Sequence, residues 1–168
     1  MIRECNDAGV NLIKHFEGLP DGDRTTANFD PYLDPVGIWT VGFGHAIFVD
    51  HTFLRGEQNR DRARSLYPGG LTLQQVETLL RADLLNTARD VQDLVTAPLT
   101  DNQFAALVSF TFNLGRRNLF ISTLLKKVNA GDFPGAAGQF GRWNLANGEI
   151  LAGLTLRRAA EAALFQTA

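Results

Sequence analysis

The sequence predicts an α+β protein, predominantly helical, with its β structure confined to one short stretch near the N-terminus. Three observations predict it. Apolar residues recur at helical spacing through most of the chain after residue 72, as helices that bury one face require. Only residues 32–48 are β-prone, with Ile38-Trp39-Thr40-Val41 alternating between glycines at 37, 42 and 44. Two capping boxes, Thr72 to Gln75 and Thr100 to Gln103, open the strongest helical stretches.

The elements follow in chain order. Residues 7–17 form an amphipathic helix, with Asp7 as N-cap, Val10, Ile13, Lys14 and Glu17 at three- and four-residue steps, and Gly18 as its stop. Residues 19–31 are dense in turn formers and form a loop. Pro35-Val36-Gly37 turns a hairpin within 32–48. Residues 51–70 are a polar, arginine-rich surface segment with room for a short helix. A long helix spans about 72–94 on the stripe Leu73, Val76, Leu79, Leu80, Leu84, Val91 and Leu94, before Pro98 breaks the chain. The next helix runs from Thr100 through Leu114 to Gly115. Its bulk (Phe104, Leu107, Val108, Phe110, Phe112) exceeds one stripe, so it is expected at the centre of the helical part. Helices at about 119–130, 134–141 and 155–166 complete the chain. Gly131 ends the first of them, and Asp132 with Pro134 starts the second.

With 168 residues the chain is expected to be one domain, 1–168, large enough to bury a core without staples. Its 45% hydrophobic and 20% charged residues exclude extended disorder. The single cysteine, Cys5, excludes an intrachain disulfide and suits a reducing compartment. The net charge of −2 hides an asymmetry: residues 1–115 carry −6 and residues 116–168 carry +4. A basic C-terminal portion attracts an anionic polymer, but no motif for nucleic acid is present. The polar start, Met1-Ile-Arg-Glu-Cys-Asn-Asp, is no secretion signal, and no apolar run reaches membrane-spanning length, so no membrane partner is expected.

Three residues carry candidate chemistry. Glu17, in the last turn of the first helix, faces the negative end of the helix dipole. That position disfavours a further negative charge and suits a group that must deliver a proton. Asp34 lies at the mouth of the hairpin, where an Asp beside Pro most often bonds its own backbone. Thr40 is an ordinary strand residue by itself. Two carboxyls in different environments can act as acid and base on one glycosidic bond. His45, Asp50 and His51 lack the ligand spacing of a metal site. Trp39 is a candidate sugar contact, whereas Trp143 is expected to pack among the helices.

In combination these residues resemble the phage-type lysozymes (glycoside hydrolase family 24). The matching stretches are Phe16-Glu17-Gly18, Tyr32-Leu33-Asp34 and the run Gly37-Ile-Trp-Thr40-Val-Gly42-Phe-Gly44-His45. Further matches follow in order: Leu99 to Phe104, Phe110 to Gly115, Ser122 to Lys127, Phe140 with Trp143-Asn144, and Gly153-Leu154 with Arg157-Arg158 and Glu161. The resemblance implies a two-lobed lysozyme-like fold. Its small β-containing lobe would span about 18–70, its linking helix about 72–94, and its helical lobe about 96–168 with helix 7–17.

It also implies an endolysin or muramidase. Such an enzyme hydrolyses the β-1,4 bond between N-acetylmuramic acid and N-acetylglucosamine by inversion and needs no metal or organic cofactor. Glu17 would be the general acid, Asp34 the residue that orients or deprotonates water, and Thr40 a hydroxyl that helps hold it. Inversion needs the two carboxyls roughly 6.5–9.5 Å apart, so that a water fits between them. Asn113 would line the saccharide site, and Arg157 would pair with the acid Glu, with Arg158 as the alternative. The implied partner is bacterial peptidoglycan, met by a monomer that waits in the host cytoplasm until a holin releases it to the wall. The rival readings are a lytic transglycosylase or chitinase on the same scaffold, or a non-catalytic peptidoglycan-binding module. The chain departs from the family pattern between Glu17 and Asp34. Roughly eight extra residues fall in the loop 19–31, which a surface loop tolerates because closure cost grows slowly with length. They bring the rival carboxyls Asp21, Asp23 and Asp30.

Overall fold

The computed structural model describes residues 1–22, 24, 26–146 and 148–167. The chain divides into two compact units, one made of Met1–Phe16 with Leu84–Ala168 and the other of Glu17–Asp83. Helix α3 (Leu73–Leu94) contributes its first half to the second unit and its second half to the first. The structure is α+β and mostly helical, as the sequence predicts.

The helical unit is built on α4 (Asp101–Leu114), whose residues Phe104 to Thr111 are all buried. The Thr100 capping box forms: the hydroxyl accepts Gln103 N–H, and the Gln103 side chain accepts Thr100 N–H at 3.0 Å. Helix α1 (Asp7–Glu17) crosses α4 at Gly9, where any Cβ would lie 2.6 Å from that of Ala105. Only glycine allows that approach. Its N-cap is Asn6, whose Oδ1 accepts Gly9 N–H at 3.0 Å, and not Asp7 as expected. Helix α8 (Ala152–Gln166) packs along α4. Phe110, Phe140 and Phe165 meet between them with ring centroids 5.6–5.7 Å apart. Burial of each such side chain contributes about 2–3 kcal/mol.

Two of the expected helices divide. Residues 119–130 belong to α5 (Arg116–Ile121) and α6 (Thr123–Asn129). Ser122 between them is extended and caps α6 by accepting Leu125 N–H at 2.9 Å. Its side chain offers the backbone a competing bond, which ends one helix and starts the next. Residues 134–141 become α7 (Phe133–Ala137) and a 3₁₀ turn at Phe140–Trp143. A small hairpin, β6 (Leu145–Ala146) with β7 (Glu149–Ile150), lies outside the expected β region.

The smaller unit holds an antiparallel sheet of order β1 (Tyr32–Leu33), β2 (Trp39–Val41), β3 (His45–Ala46). A second hairpin, β4 (Phe48–Val49) with β5 (Thr52–Phe53), extends the β structure to residue 53. Helix α2 (Arg60–Leu66) follows. Trp39 lies at the centre, packed with Ile47, Leu54 and Ala63, and its indole N–H donates to Gly56 O at 2.8 Å. Backbone bonds from Trp39 to Leu54, Leu54 to Ile47 and Ile47 to Trp39 close a ring around that core. The turn after β2 presses on α3: at Gly42, with φ +62°, a Cβ would stand 3.0 Å from Val76. The Thr72 capping box opens α3, with Thr72 N–H on Gln75 Oε1 at 2.8 Å. Leu73, expected on the apolar stripe, is 52% exposed instead, because it precedes the first buried turn at Val76.

Candidate active site

The residues singled out between 17 and 40 all belong to the smaller unit. Glu17 ends α1, and Gly18 takes φ +68° directly after it. Its half-buried carboxyl lies against the glycine turn between β2 and β3, where a Cβ on Gly44 would come 3.9 Å from Glu17 Oε2. Both glycines of this turn take positive φ, Gly42 at +62° and Gly44 at +89°, which a side chain would strain.

Asp34 follows β1 and forms the side-chain turn that its setting predicts. Its Oδ1 accepts Val36 N–H at 2.9 Å and Ile38 N–H at 2.8 Å, while its backbone N–H donates to Ile38 O at 2.9 Å. Among the described residues the hydrogen bonds to this carboxyl all end on Oδ1. Thr40 is 3% exposed and pairs with Tyr32 across β1 and β2. Its hydroxyl donates to Ile38 O at 3.1 Å, so what it has left to offer a neighbour is lone pairs.

Tyr32 is the residue that sequence reasoning used only as a motif marker. Burial pushes its phenol above the usual tyrosine range, and the negative charges of Glu17 and then Asp34 push it the same way, against a hydrogen bond from the Gly44 backbone. One hydroxyl thus feels both carboxyls, although they are seventeen positions apart in sequence. The signal that could have found it is cross-strand pairing: a residue eight before Thr40 and two before Asp34 pairs with Thr40 and shares its face once the hairpin closes.

The loop 19–31 spends its rival carboxyls on itself. Asp21 Oδ1 accepts Asp30 N–H at 3.1 Å, and Asp30, 4% exposed, accepts the Thr26 N–H and hydroxyl at 3.2 and 3.1 Å. Asp23 lies outside the described residues. The loop is anchored by reciprocal backbone bonds between Phe29 and Leu71 and by Asn28 on Gly69 O. His45 binds Asp83 through Nδ1 at 2.9 Å and ties β3 to α3. Trp39 is 1% exposed, which puts its ring in the core and not on a surface.

Asn113 and Arg157 belong to the helical unit. Asn113, at the end of α4, is exposed. Arg157 is 4% exposed, with its guanidinium 5.8 Å above the ring of Phe16, the residue before Glu17. The neighbouring Arg158 is fully buried against Glu161, with Nε 2.9 Å from Oε2. Burial pushes the Glu161 carboxyl up to about 7, opposed by Arg158, the Ser109 hydroxyl and Arg157.

The chain is similar to known proteins over nearly its whole length. The family model described as phage lysozyme matches residues 14–161. The chain is 35% identical over 167 residues to the endolysin of Acyrthosiphon pisum secondary endosymbiont phage 1, covering 97% of this chain and 98% of that one. Among solved structures, the muramidase domain of SpmX from Asticcacaulis excentricus matches at 36% identity and TM-score 0.74, covering 99% of each chain. A P22 lysozyme mutant matches at 28% identity and TM-score 0.77, covering 98% of this chain and 99% of the other.

Proposed function

The chain belongs to the phage lysozyme family and is a glycoside hydrolase of the endolysin type; from that premise we propose that it cleaves the β-1,4 bond between N-acetylmuramic acid and N-acetylglucosamine with inversion. Glu17 protonates the leaving oxygen of N-acetylglucosamine. A water attacks the anomeric carbon of N-acetylmuramic acid from the opposite face, and Asp34 takes its proton. Thr40 is the second group on that water. Its hydroxyl hydrogen is already given to Ile38 O, so both Thr40 and Asp34 accept. A water that donates its two hydrogens to them turns a lone pair toward the sugar.

The observation that carries this reading is the turn from β2 to β3, which sets the Glu17 carboxyl against Gly44 while β2 carries Thr40, bonded to the same Ile38 that holds Asp34. The raised Tyr32 phenol, paired with Thr40, agrees with it. This arrangement supports a shared site in spite of the long loop between Glu17 and Asp34. The whole chain then acts as one catalytic domain and a monomer on peptidoglycan, with Asn113 and Arg157 as saccharide-binding residues, and a holin releasing the enzyme from the host cytoplasm to the wall.

Clearing of a sacculus suspension tests the reading. Glu17→Gln and Asp34→Asn should each slow it by about 10²-fold or more, the usual worth of a positioned acid or base. Full clearing by either variant would overturn the assignment of that residue.

A further inference from the structure

We infer that Arg158 is a positioning residue that turns the Asn113 side chain so that it offers hydrogen-bond donors to the sugar chain; this rests on the reading of Asn113 as a substrate contact. Ser109 and Asn113 are four residues apart on α4 and share a face, as Arg158 and Glu161 do at three residues on α8. Ser109, Arg158 and Glu161 are each 0% exposed, while Asn113 is exposed. A chain of hydrogen bonds runs from the buried group to the surface one. The Ser109 hydroxyl donates to Glu161 Oε1 at 2.7 Å. Arg158 Nη2 donates to the same oxygen at 2.9 Å and, through its other hydrogen, to Asn113 Oδ1 at 3.0 Å.

The chemistry of the partner fixes the amide. A guanidinium has donors and no acceptor. Asn113 must therefore present its carbonyl oxygen to Arg158, which leaves its NH₂ group as the outward-facing end. An asparagine without such a partner can flip and offer either end. Here α8 decides the polarity of a residue on α4, and Glu161 holds the guanidinium that decides it. The ligand group that fits is an oxygen acceptor. On an N-acetylated sugar polymer the strongest uncharged acceptor is the acetamido carbonyl, present on every residue.

Aspartate at 113 separates this role from a structural one. It has nearly the same shape and keeps an oxygen for Arg158, now as a charge-assisted bond, but it has no donor to turn outward. Binding is measured by co-sedimentation with purified sacculi in a Glu17→Gln background, so that it does not depend on lysis, and stability by thermal melting. Asn113→Asp should weaken sedimentation roughly three- to tenfold, the worth of one hydrogen bond, with a melting temperature at or above the parent's. Asn113→Ala should lose both binding and stability, and Asn113→Gln, which keeps a donor, should recover part of the binding. Unchanged sedimentation of Asn113→Asp, or sacculi that retain none of these proteins, would overturn the inference. So would an Asn113→Asp melting temperature as low as that of Asn113→Ala. If the Asn113 series binds with this dependence and yet the protein with Glu17 intact fails to clear sacculi, the hydrolase reading is overturned and not this one.

Discussion

Asp34 and Ile38 are locked to each other twice: Asp34 Oδ1 accepts Ile38 N–H at 2.8 Å, and Asp34 N–H donates to Ile38 O at 2.9 Å. The same carbonyl of Ile38 receives the Thr40 hydroxyl at 3.1 Å. One residue of the hairpin thus orients both groups assigned to the attacking water. The commonest structural use of an Asp beside Pro and the catalytic use proposed for Asp34 do not compete, since the turn takes one oxygen and orients the other. Asp34→Asn keeps an oxygen for the turn and loses the base. Its melting temperature should stay within about 3 °C of the parent, as expected for a change below 1 kcal/mol in a domain of this size, while lysis falls by about 10²-fold or more. A melting temperature that falls in step with activity would show that the carboxylate is structural alone.

Trp39 provides the opposite case. Its ring is 1% exposed and its N–H is held by Gly56 O. Trp39→Phe leaves that carbonyl without its donor and opens a small void, which together cost about 2 kcal/mol. Denaturant unfolding should show the loss, and the half-saturating sacculus concentration should not move. A large rise in that concentration with unchanged stability would restore the tryptophan as a sugar contact.

The buried carboxyl Glu161 predicts a pH dependence of stability. Its value rises on folding from 4.5 to about 7. Between those values the folded state holds the proton that the unfolded state has released, so this group's contribution falls as pH rises through the window. The stability of the parent relative to Glu161→Gln, measured by denaturant titration at several pH values, should therefore shrink between about pH 4.5 and 7 and be level above. A gap that widens with pH would mean that Arg158 keeps the carboxylate ionised throughout.

Much of this was legible in the sequence because the signals are local. The Thr72 and Thr100 capping boxes, the glycine stops after Glu17 and Leu114, and the buried bulk of α4 all depend on residues within one helix. What was not legible depends on contacts made elsewhere. Nothing in the stretch 119–130 says that the Ser122 hydroxyl caps the following helix instead of facing solvent. The β6–β7 hairpin has its sequence signal in Asn147-Gly148, but strands of two residues give no periodicity to read. The split between Arg157 and Arg158 could not be read either, because both reach Glu161 on their own helix and differ only in what lies across from them: Phe16 for one and Asn113 for the other. The pairing of Tyr32 with Thr40 needed the hairpin register.

Two glycine substitutions should act with opposite sign. At Gly42, alanine meets φ +62° and a Val76 Cβ 3.0 Å away, and should cost about 1–2 kcal/mol. At Gly153, in the first turn of α8, a Cβ meets nothing within 4 Å, and alanine should add about 0.5 kcal/mol through the unfolded chain. Thermal melting of the two variants checks both. Equal effects would mean that the glycine turn beside the acid carries no strain that only glycine relieves.

The central claim is that Asp34 and Thr40 direct a water to the bond that Glu17 protonates, and digestion of sacculi in ¹⁸O-labelled water followed by mass spectrometry tests it most directly. The account predicts reducing N-acetylmuramic acid ends that carry one ¹⁸O atom per cleavage. Anhydro-muramic ends, with no label from water, would contradict it.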